Sequence, residues 1–283
     1  MNYRHAFHAG NFADVLKHAV MALALRRLTA KPKPMRVIDT HAGIGSYRLD
    51  APEAERTGEW KHGIGRLLGE DAPSLPPGVD ALLAPYLDIV RAANAPGQLL
   101  AYPGSPAIAL ALLRPDDRLV ATELHPEDVG QLRRSLRGDR RAKVLALDGW
   151  QALRALLPPK ERRGLVLVDP PFEESGELRR LRDGLVDGLR RFATGTFMLW
   201  LPIKDQHQIA GFERALRELQ LDKLLWAEVR VAPISPVGPL TACALAIVNP
   251  PFGLAEDLAE LLPFLAERLA TESGSGSWHV RYL

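Results

Sequence analysis

The sequence predicts an α/β fold in which helices cover both faces of a doubly wound, mostly parallel sheet. Short apolar runs alternate with segments of helical period along most of the chain, and several of these runs end abruptly in an acidic residue. The last two runs follow one another with no helix between them. The chain has 283 residues, of which 47% are apolar and 25% charged, which suits one large domain with a buried core.

Seven apolar runs are predicted to be strands, and helices are predicted between most of them. The strands occupy residues 35–39, 119–123, 144–148, 165–169, 196–201, 223–231 and 241–248. The helices occupy residues 11–28, 105–113, 126–136, 151–157, 178–191, 205–219 and 254–269, and Asn11 or Asp14 can cap the first. Only the Pro- and Gly-rich residues 232–240 join the last two strands, so we expect an antiparallel hairpin at one end of the sheet.

The segment of residues 50–100 interrupts this alternation. It contains helical patterns but no strand pattern, and a structureless loop of that length is rare. We therefore predict a helical insert subdomain at 50–100 within a single domain of residues 1–283. Residues 273–277 alternate Ser and Gly and are expected to be flexible.

Acidic residues end four successive strands that are predicted to be parallel. They are Asp39, Glu123, Asp148 and Asp169. Parallel strands bring their carboxyl ends to one edge, where crowded acids repel each other unless they bind something. Glu123 suits ribose hydroxyls, and Asp148 with Gly149 after it suits the amino edge of an adenine. The pattern indicates an adenosine-containing cofactor.

The glycine turn after the first strand favours S-adenosylmethionine over NAD. The pyrophosphate of NAD requires G-x-G-x-x-G at a helix N-terminus, but here Gly43 and Gly45 are followed by Arg48 in the third position. S-adenosylmethionine carries no phosphate, and nearby acids suit its sulfonium cation. With the end hairpin, these features predict a Rossmann-like S-adenosylmethionine-dependent methyltransferase fold with a seven-stranded sheet.

The turn Asp169-Pro170-Pro171-Phe172 is the strongest candidate for the chemistry. Neither proline carries an N–H, so the sheet ladder must stop there. The turn offers a carboxylate, the carbonyl of Pro170 and a flat ring, which together can hold a planar base with an exocyclic amino group. Taken alone, the tetrapeptide fits a rigid loop equally well. Asn249-Pro250-Pro251-Phe252 repeats the pattern after an antiparallel strand, so we expect it at the opposite edge with a structural role.

Composition excludes several classes of protein. No run of apolar residues is long enough to span a membrane, and the single cysteine, Cys243, permits no intramolecular disulfide, so we expect a cytoplasmic protein. The histidines near the N-terminus lack the spacing of a metal motif, so we expect no metal.

The net charge is +2, but arginines cluster in several segments and suit phosphate contacts. Nothing specifies an oligomeric state, and a monomer is the default expectation.

Several motifs give the chain a specific resemblance to a known family. They are Tyr3-Arg4-His5-Ala6-Phe7-His8-Ala9-Gly10-Asn11, Asp14-Val15-Leu16-Lys17-His18, Asp39-Thr40-His41-Ala42-Gly43, Ala54-Glu55-Arg56-Thr57-Gly58-Glu59, Tyr102-Pro103-Gly104-Ser105-Pro106, Thr122-Glu123-Leu124-His125-Pro126 and Asp169-Pro170-Pro171. In these segments the chain resembles the RlmJ family, and the resemblance runs from end to end. The resemblance implies methylation of N6 of an adenine in 23S ribosomal RNA.

The resemblance also implies residue roles. The implied cofactor-binding residues are His18, His41, Ser105, Glu123, Asp148, Gly149 and Asp169. Asp169 is also the implied catalytic acid–base residue. Tyr3 is implied to contact the RNA, and we expect Arg4 beside it to do the same. The chemistry of the turn itself predicts that Pro170 and Phe172 hold the base. The family's aromatic after the two prolines is often Tyr, so Phe172 keeps the stacking surface but lacks a phenol.

Two alternatives stay open on the sequence alone. One is an amino-group methyltransferase that acts on DNA or on protein amides. The other is an RNA-binding module that has kept the fold but lost catalysis, although the complete set of strand-end acids disfavours it. A methyl-transfer assay on RNA, DNA and protein separates these possibilities.

Overall fold

An eight-stranded sheet forms the centre of the molecule, in a computed structural model that describes residues 4–283. In chain order its strands are β1 (Arg36–Asp39), β4 (Arg118–Glu123), β5 (Ala142–Ala146), β6 (Gly164–Val168), β7 (Thr196–Pro202), β8 (Leu224–Arg230), β9 (Ala242–Val248) and β10 (Ser277–Tyr282). The order across the sheet is β5-β4-β1-β6-β7-β9-β8-β10. Two short strands, β2 (Ser46–Arg48) and β3 (Ala101–Pro103), form a separate antiparallel pair.

The strand directions confirm the predicted fold. Strands β5, β4, β1, β6 and β7 are parallel neighbours, whereas β9 runs antiparallel to both β7 and β8. The predicted hairpin of the last two apolar runs is therefore present, and β9 lies between β7 and β8. A parallel sheet with one reversed strand inserted next to its last parallel strand, as β9 is between β7 and β8, is the Rossmann-like methyltransferase arrangement.

The prediction of seven strands is wrong by one. Strand β10 pairs antiparallel with β8 along the edge of the sheet, with Ser277 opposite Arg230 and Tyr282 opposite Leu225. The preceding Ser/Gly segment, which we expected to be flexible, is a turn in which the Ser275 hydroxyl donates to the carbonyl of Val231 at 3.1 Å. This turn reverses the chain and allows the last residues to pair with β8.

Ten α-helices surround the sheet in the described part of the chain. They are α1 (Phe12–Thr29), α2 (Pro52–Thr57), α3 (Gly65–Leu68), α4 (Pro77–Ala92), α5 (Ser105–Leu112), α6 (Pro126–Ser135), α7 (Gly149–Ala155), α8 (Glu177–Arg191), α9 (Gln206–Arg217) and α10 (Leu254–Leu269). Short 3-10 helices occupy His5–Phe7 and Glu59–His62. Asn11 caps α1 by accepting a hydrogen bond from the Asp14 amide.

Helix α1 is buried on all sides for most of its length. Every residue from 12 to 25 is buried, and the helix packs against α4, α5 and α10. At its C-terminal end Arg27 binds Asp257 of α10 through two hydrogen bonds of 2.6 and 2.7 Å. A charged residue inside such a helix is costly unless it is paired, so Asp14 and Lys17 call for partners.

The segment of residues 50–100 contributes helices α2, α3 and α4. Leu83, Tyr86 and Leu87 of α4 are fully buried and belong to the same apolar core as α1. The helices therefore continue the core on one face of the sheet. No helix in residues 4–283 is long and apolar enough to cross a membrane.

Candidate active site

Two cavities meet at Asp169, just past the carboxyl end of β6. One, of about 390 Å³, follows the carboxyl edge of β1, β4, β5 and β6, and we call it the edge cavity. The other, of about 480 Å³, is lined by Phe172, Trp200 and Leu240, and we call it the aromatic cavity. Both cavities are lined by His5, Lys17, Asp169, Pro171 and Glu173. The turn singled out in the sequence is therefore the boundary between two binding spaces.

The structure brings the predicted cofactor residues to the edge cavity. All seven of them line it: His18, His41, Ser105, Glu123, Asp148, Gly149 and Asp169. They come from α1, from the loop after β1, from the start of α5 and from the ends of β4, β5 and β6. The topology explains this convergence, because the carboxyl ends of neighbouring parallel strands lie side by side.

Glu123 fixes the loop that carries the two glycines. Its Oε2 accepts a hydrogen bond from the Gly43 amide at 2.9 Å, and its Oε1 accepts from the amides of Leu124 and His125. Gly43 has a φ of +60°, and a Cβ there would lie 2.2 Å from the Tyr47 hydroxyl. The conformation of this loop therefore requires glycine at position 43. Both Gly43 and the Glu123 carboxylate that binds it line the edge cavity.

Asp148 and Gly149 form the far end of the edge cavity. Asp148 lies two residues past β5 and caps α7, where its Oδ1 accepts from the amides of Trp150 and Gln151 at 3.0 and 2.9 Å. A Cβ on Gly149 would lie 2.5 Å from Cε1 of His41. Burial lowers the pKa of His41 to about 4, so its ring is neutral at pH 7.

Asp39 lies beneath the edge cavity rather than on its wall. It is 1% exposed, and its Oδ2 accepts a hydrogen bond from the Ser105 hydroxyl at 2.7 Å, while Oδ1 has no partner in the described part of the chain. Burial raises the pKa of Asp39 to about 7, against the opposing effect of the Ser105 hydrogen bond. Ser105 is thus positioned at the cavity by a buried carboxyl group.

Lys17 joins Asp169 to α1. Its ammonium nitrogen lies 2.5 Å from Oδ2 of Asp169 and 2.8 Å from Oδ1 of Asp14, and only 5% of the side chain is exposed. Burial alone would lower the pKa of Lys17, but the charges of Asp14 and Asp169 outweigh it and raise that pKa well above its usual value. The lysine is therefore a permanent cation beside Asp169.

Asp14 holds the other side of this cluster. Its Oδ2 lies 2.9 Å from Nε2 of His5 and accepts a hydrogen bond from the Gly10 amide. Burial would raise the pKa of Asp14, but His5 and Lys17 overcome that effect and lower it well below the usual range. His5, Asp14, Lys17 and Asp169 thus form a continuous chain of polar contacts at the junction of the two cavities, with the buried pair Asp14 and Lys17 at its centre.

His18 follows Lys17 and faces the edge cavity. Its Nδ1 lies 2.7 Å from the hydroxyl of Tyr102, and its buried Nε2 has no hydrogen-bond partner in the described part of the chain. Burial lowers the pKa of His18 to about 3. A neutral imidazole with an unpaired nitrogen in a cavity wall is suited to a polar ligand group.

Phe172 and Trp200 form the aromatic cavity. Their rings meet edge to face, with centroids 5.7 Å apart and planes at 68°. Phe172 has a φ of +53°, a conformation that costs a bulky residue about 1–3 kcal/mol. The strained backbone directs the ring into the cavity.

The remaining predicted substrate residues fall in different places. Pro170 is buried and lines the edge cavity. Arg4 lines neither cavity and instead binds Glu127 at 3.2 Å on the surface. Tyr3 lies outside the described residues. The second turn lies at the amino end of β7, where Asn249 donates to the carbonyls of Ala193 and Gly195, so it is at the opposite edge as predicted.

Histidines near the N-terminus are engaged in pairs with carboxylates. Besides the contact of His5 with Asp14, Nδ1 of His8 lies 3.0 Å from Glu59. No group of three or more His, Cys, Asp or Glu residues in the range 4–283 is arranged to hold a metal ion.

Comparison with known proteins identifies the family. The family model described as ribosomal RNA large subunit methyltransferase D, RlmJ, matches residues 32–283. The chain belongs to the RlmJ family. Ribosomal RNA large subunit methyltransferase J of Escherichia coli and that of Haemophilus influenzae are each 42% identical to it, over 100% of this chain and 99% of theirs. The crystal structure of protein LPL1258 from Legionella pneumophila is 33% identical, has a TM-score of 0.88 and covers 97% of this chain and 98% of its own.

The donor set of the edge cavity fits the methyl donor that an RlmJ-family methyltransferase would use. Acidic side chains predominate on its walls, from Glu123, Asp128 and Asp148 to Glu173 and Glu174. A sulfonium cation is favoured in such surroundings, whereas a pyrophosphate would be repelled. Leu124, which is 52% exposed, and the indole of Trp150 add apolar surface for a flat ring.

Sequence reasoning missed Lys17, Leu124 and Trp150 in this RlmJ-family site. Lys17 and Leu124 lie in the quoted motifs but were assigned no role, and Trp150 directly follows Gly149. The signal for Lys17 is a charge pair, Asp14 and Lys17, in an otherwise apolar helix. Its decisive partner is 152 residues away in sequence, so the pairing cannot be read from spacing.

Proposed function

We propose that this protein transfers a methyl group from S-adenosylmethionine to N6 of an adenine in 23S ribosomal RNA. One observation carries the proposal: Asp169 stands where an acidic cavity meets an aromatic one. The edge cavity suits a cationic adenosine cofactor, and the aromatic cavity suits a flat base. The carboxylate between them is within reach of both ligands.

The residues at the junction explain how a weakly nucleophilic amine can react. The lone pair of an adenine N6 is delocalised into the ring. The Asp169 carboxylate and the Pro170 carbonyl would accept hydrogen bonds from the two N–H groups of that amine and so orient the nitrogen toward the edge cavity. Lys17 binds only Oδ2 of Asp169 and so leaves Oδ1 for the base.

The cofactor, when bound, supplies a methyl group on a positively charged sulfur. The protein's own part would be to orient the amine toward the edge cavity and to provide an acceptor for the proton that the nitrogen loses. Asp169 accepts this proton directly or through water, and Lys17 and Asp14 keep the carboxylate in position. Stacking of the base on Phe172 would contribute about 1–3 kcal/mol.

The aromatic cavity also sets a requirement on the substrate. A base that is paired inside a helix cannot enter a recessed cavity of this kind, so the adenine must be unpaired or flipped out. This requirement favours a nucleic-acid loop or a distorted helix as the substrate.

Replacement of Asp169 by Asn tests the proposal. We expect transfer of labelled methyl groups to unmodified 23S ribosomal RNA to fall by about 10³-fold, because the amide cannot take up the proton. The variant should stay folded, since Lys17 keeps its ion pair with Asp14 and the amide keeps the shape of the side chain. Asp88→Asn on the surface of α4 is the matched control and should methylate normally. Near-normal transfer by Asp169→Asn would contradict the mechanism.

The same assay distinguishes the alternatives. Unmethylated DNA and protein substrates are offered in parallel with the RNA, and the modified nucleotide is identified by mass spectrometry. Transfer to DNA or to protein instead of RNA would indicate the other methyltransferase classes. Binding of S-adenosylmethionine in calorimetry without transfer to any acceptor would indicate a catalytically silent RNA-binding module.

A further inference from the structure

Two apolar side chains stand out from the described surface because they are almost fully exposed. Phe252 is 95% exposed and Val237 is 82% exposed. Phe252 follows β9 in the second Pro-Pro turn, at the edge of the sheet away from both cavities. Val237 lies in the loop that joins β8 to β9, and its neighbours Gly238, Pro239 and Leu240 line the aromatic cavity. Only Val237 therefore stands at the entrance to a proposed base site.

The loop holds Val237 in a defined position. The Ser235 hydroxyl donates to the Val237 carbonyl at 2.7 Å and accepts from the Val237 amide at 3.3 Å. The Thr241 hydroxyl donates to the carbonyl of Pro233 at 3.1 Å and closes the base of the loop. Pro233, Pro236 and Pro239 further restrict the backbone. A restricted loop loses little conformational entropy when its tip enters another molecule.

The surroundings of the entrance suit a nucleic-acid backbone. Lys204 lines the aromatic cavity and is exposed, in the connection between β7 and α9. Phe172 and Trp200 lie deeper in the same cavity. If the base of a nucleotide reached these rings, its phosphates would lie near Lys204. The place that the base had left in the stack would then be close to Val237.

We infer that Val237 is a positioning residue that enters the RNA base stack and fills the gap left by the flipped adenine. The inference rests on the proposed function and adds the step by which a stacked base reaches the cavity. Proteins that unstack nucleic-acid bases commonly insert an apolar side chain between them. Val237 provides such a side chain at the mouth of the cavity, and its insertion removes an exposed apolar group from water.

The test compares two versions of one RNA. The shortest fragment of 23S ribosomal RNA that the wild type methylates is made by chemical synthesis, with the target adenine either paired to uracil or opposite an abasic site. Val237→Ser should lower kcat/KM roughly tenfold on the paired RNA, because the cost of unstacking is no longer offset. On the abasic RNA the variant should remain within twofold of the wild type. Val237→Leu should keep the activity on both.

Two further arms make the outcome specific. Phe252→Ser removes an equally exposed apolar side chain and should leave both rates unchanged. With 2-aminopurine at the target position and S-adenosylhomocysteine present, the wild type should raise the fluorescence of the paired RNA and Val237→Ser should not. Equal loss on both RNAs, or no loss, would overturn the role of Val237 alone. Absence of transfer by the wild type to any 23S fragment would overturn the proposed function and this inference with it.

Discussion

Removal of the ammonium group of Lys17 should destabilise the protein strongly. Lys17→Met keeps the length and most of the volume of the side chain but deletes the cation between Asp14 and Asp169. The lysine side chain is only 5% exposed and that of Asp14 only 2%, so water cannot replace the lost charge effectively. Asp14 would then keep only His5 and the Gly10 amide, and Asp169 would lose the cation that binds it, so two carboxylates would lie close together with too little positive charge between them.

The magnitude follows from the burial of the cluster. Loss of one partner from a buried ion pair costs about 3–5 kcal/mol. In a chain of this size that corresponds to a fall of the melting temperature of roughly 6–20 °C. Urea unfolding followed by tryptophan fluorescence measures the free energy of unfolding directly, with the wild type and Lys160→Met as references. Lys160 is exposed, so its replacement should have little effect.

A second variant separates charge from packing. Asp14→Asn combined with Lys17→Met removes one of the two carboxylate charges and should regain part of the lost stability. Methyl transfer should nevertheless stay low, because Asp169 still lacks its ion pair with Lys17. A change of less than about 1 kcal/mol for Lys17→Met would refute the reasoning, since surface ion pairs contribute no more than that.

Two further predictions concern the edge cavity. Burial raises the pKa of Asp39 from 3.8 to about 7. The neutral carboxyl group therefore contributes to the free energy of unfolding fully below pH 3.8, and this contribution is lost as the pH rises from there through 7. Between pH 5 and 7 the free energy of unfolding of the wild type should fall relative to Asp39→Asn by roughly 2 kcal/mol in urea titrations, and a flat difference would contradict the burial argument. Gly149→Ala would place a Cβ 2.5 Å from His41, and calorimetry should show at least about tenfold weaker binding of S-adenosylhomocysteine. Gly130→Ala in α6, where a Cβ has room, is its control, and equal affinities would argue against close packing at Gly149.

The sequence was sufficient to predict the sheet wherever burial makes a strand apolar. Strands such as β6 and β9 are buried along their whole length and were placed within a residue or two. Strand β10 lies at the edge and alternates polar and apolar residues after a Ser/Gly turn, so its signal is weak. Strands β2 and β3 contain three residues each, which is too short for any periodicity to appear.

The candidate site was predictable where side chains follow strand ends. Glu123 and Asp169 lie at one edge because parallel strands share a direction, and that direction could be inferred from the order of strands and helices. The ionic network of Lys17 was not predictable, because it depends on how α1 packs across the sheet. The edge-to-face contact of Phe172 with Trp200 depends likewise on tertiary packing.

The position of α1 has a consequence for how the chain folds during its synthesis. Its C-terminal end is bound by Asp257 of α10, 230 residues later in the sequence. Helices α4 and α5 can cover α1 early in synthesis, but the side of α1 that packs against α10 stays uncovered until residues 254–269 have been made. Contacts of such long range slow folding and expose the unfinished chain to aggregation. The lysine that binds Asp169 lies on this same helix, so the packing of α10 also contributes to holding the junction of the two cavities in place.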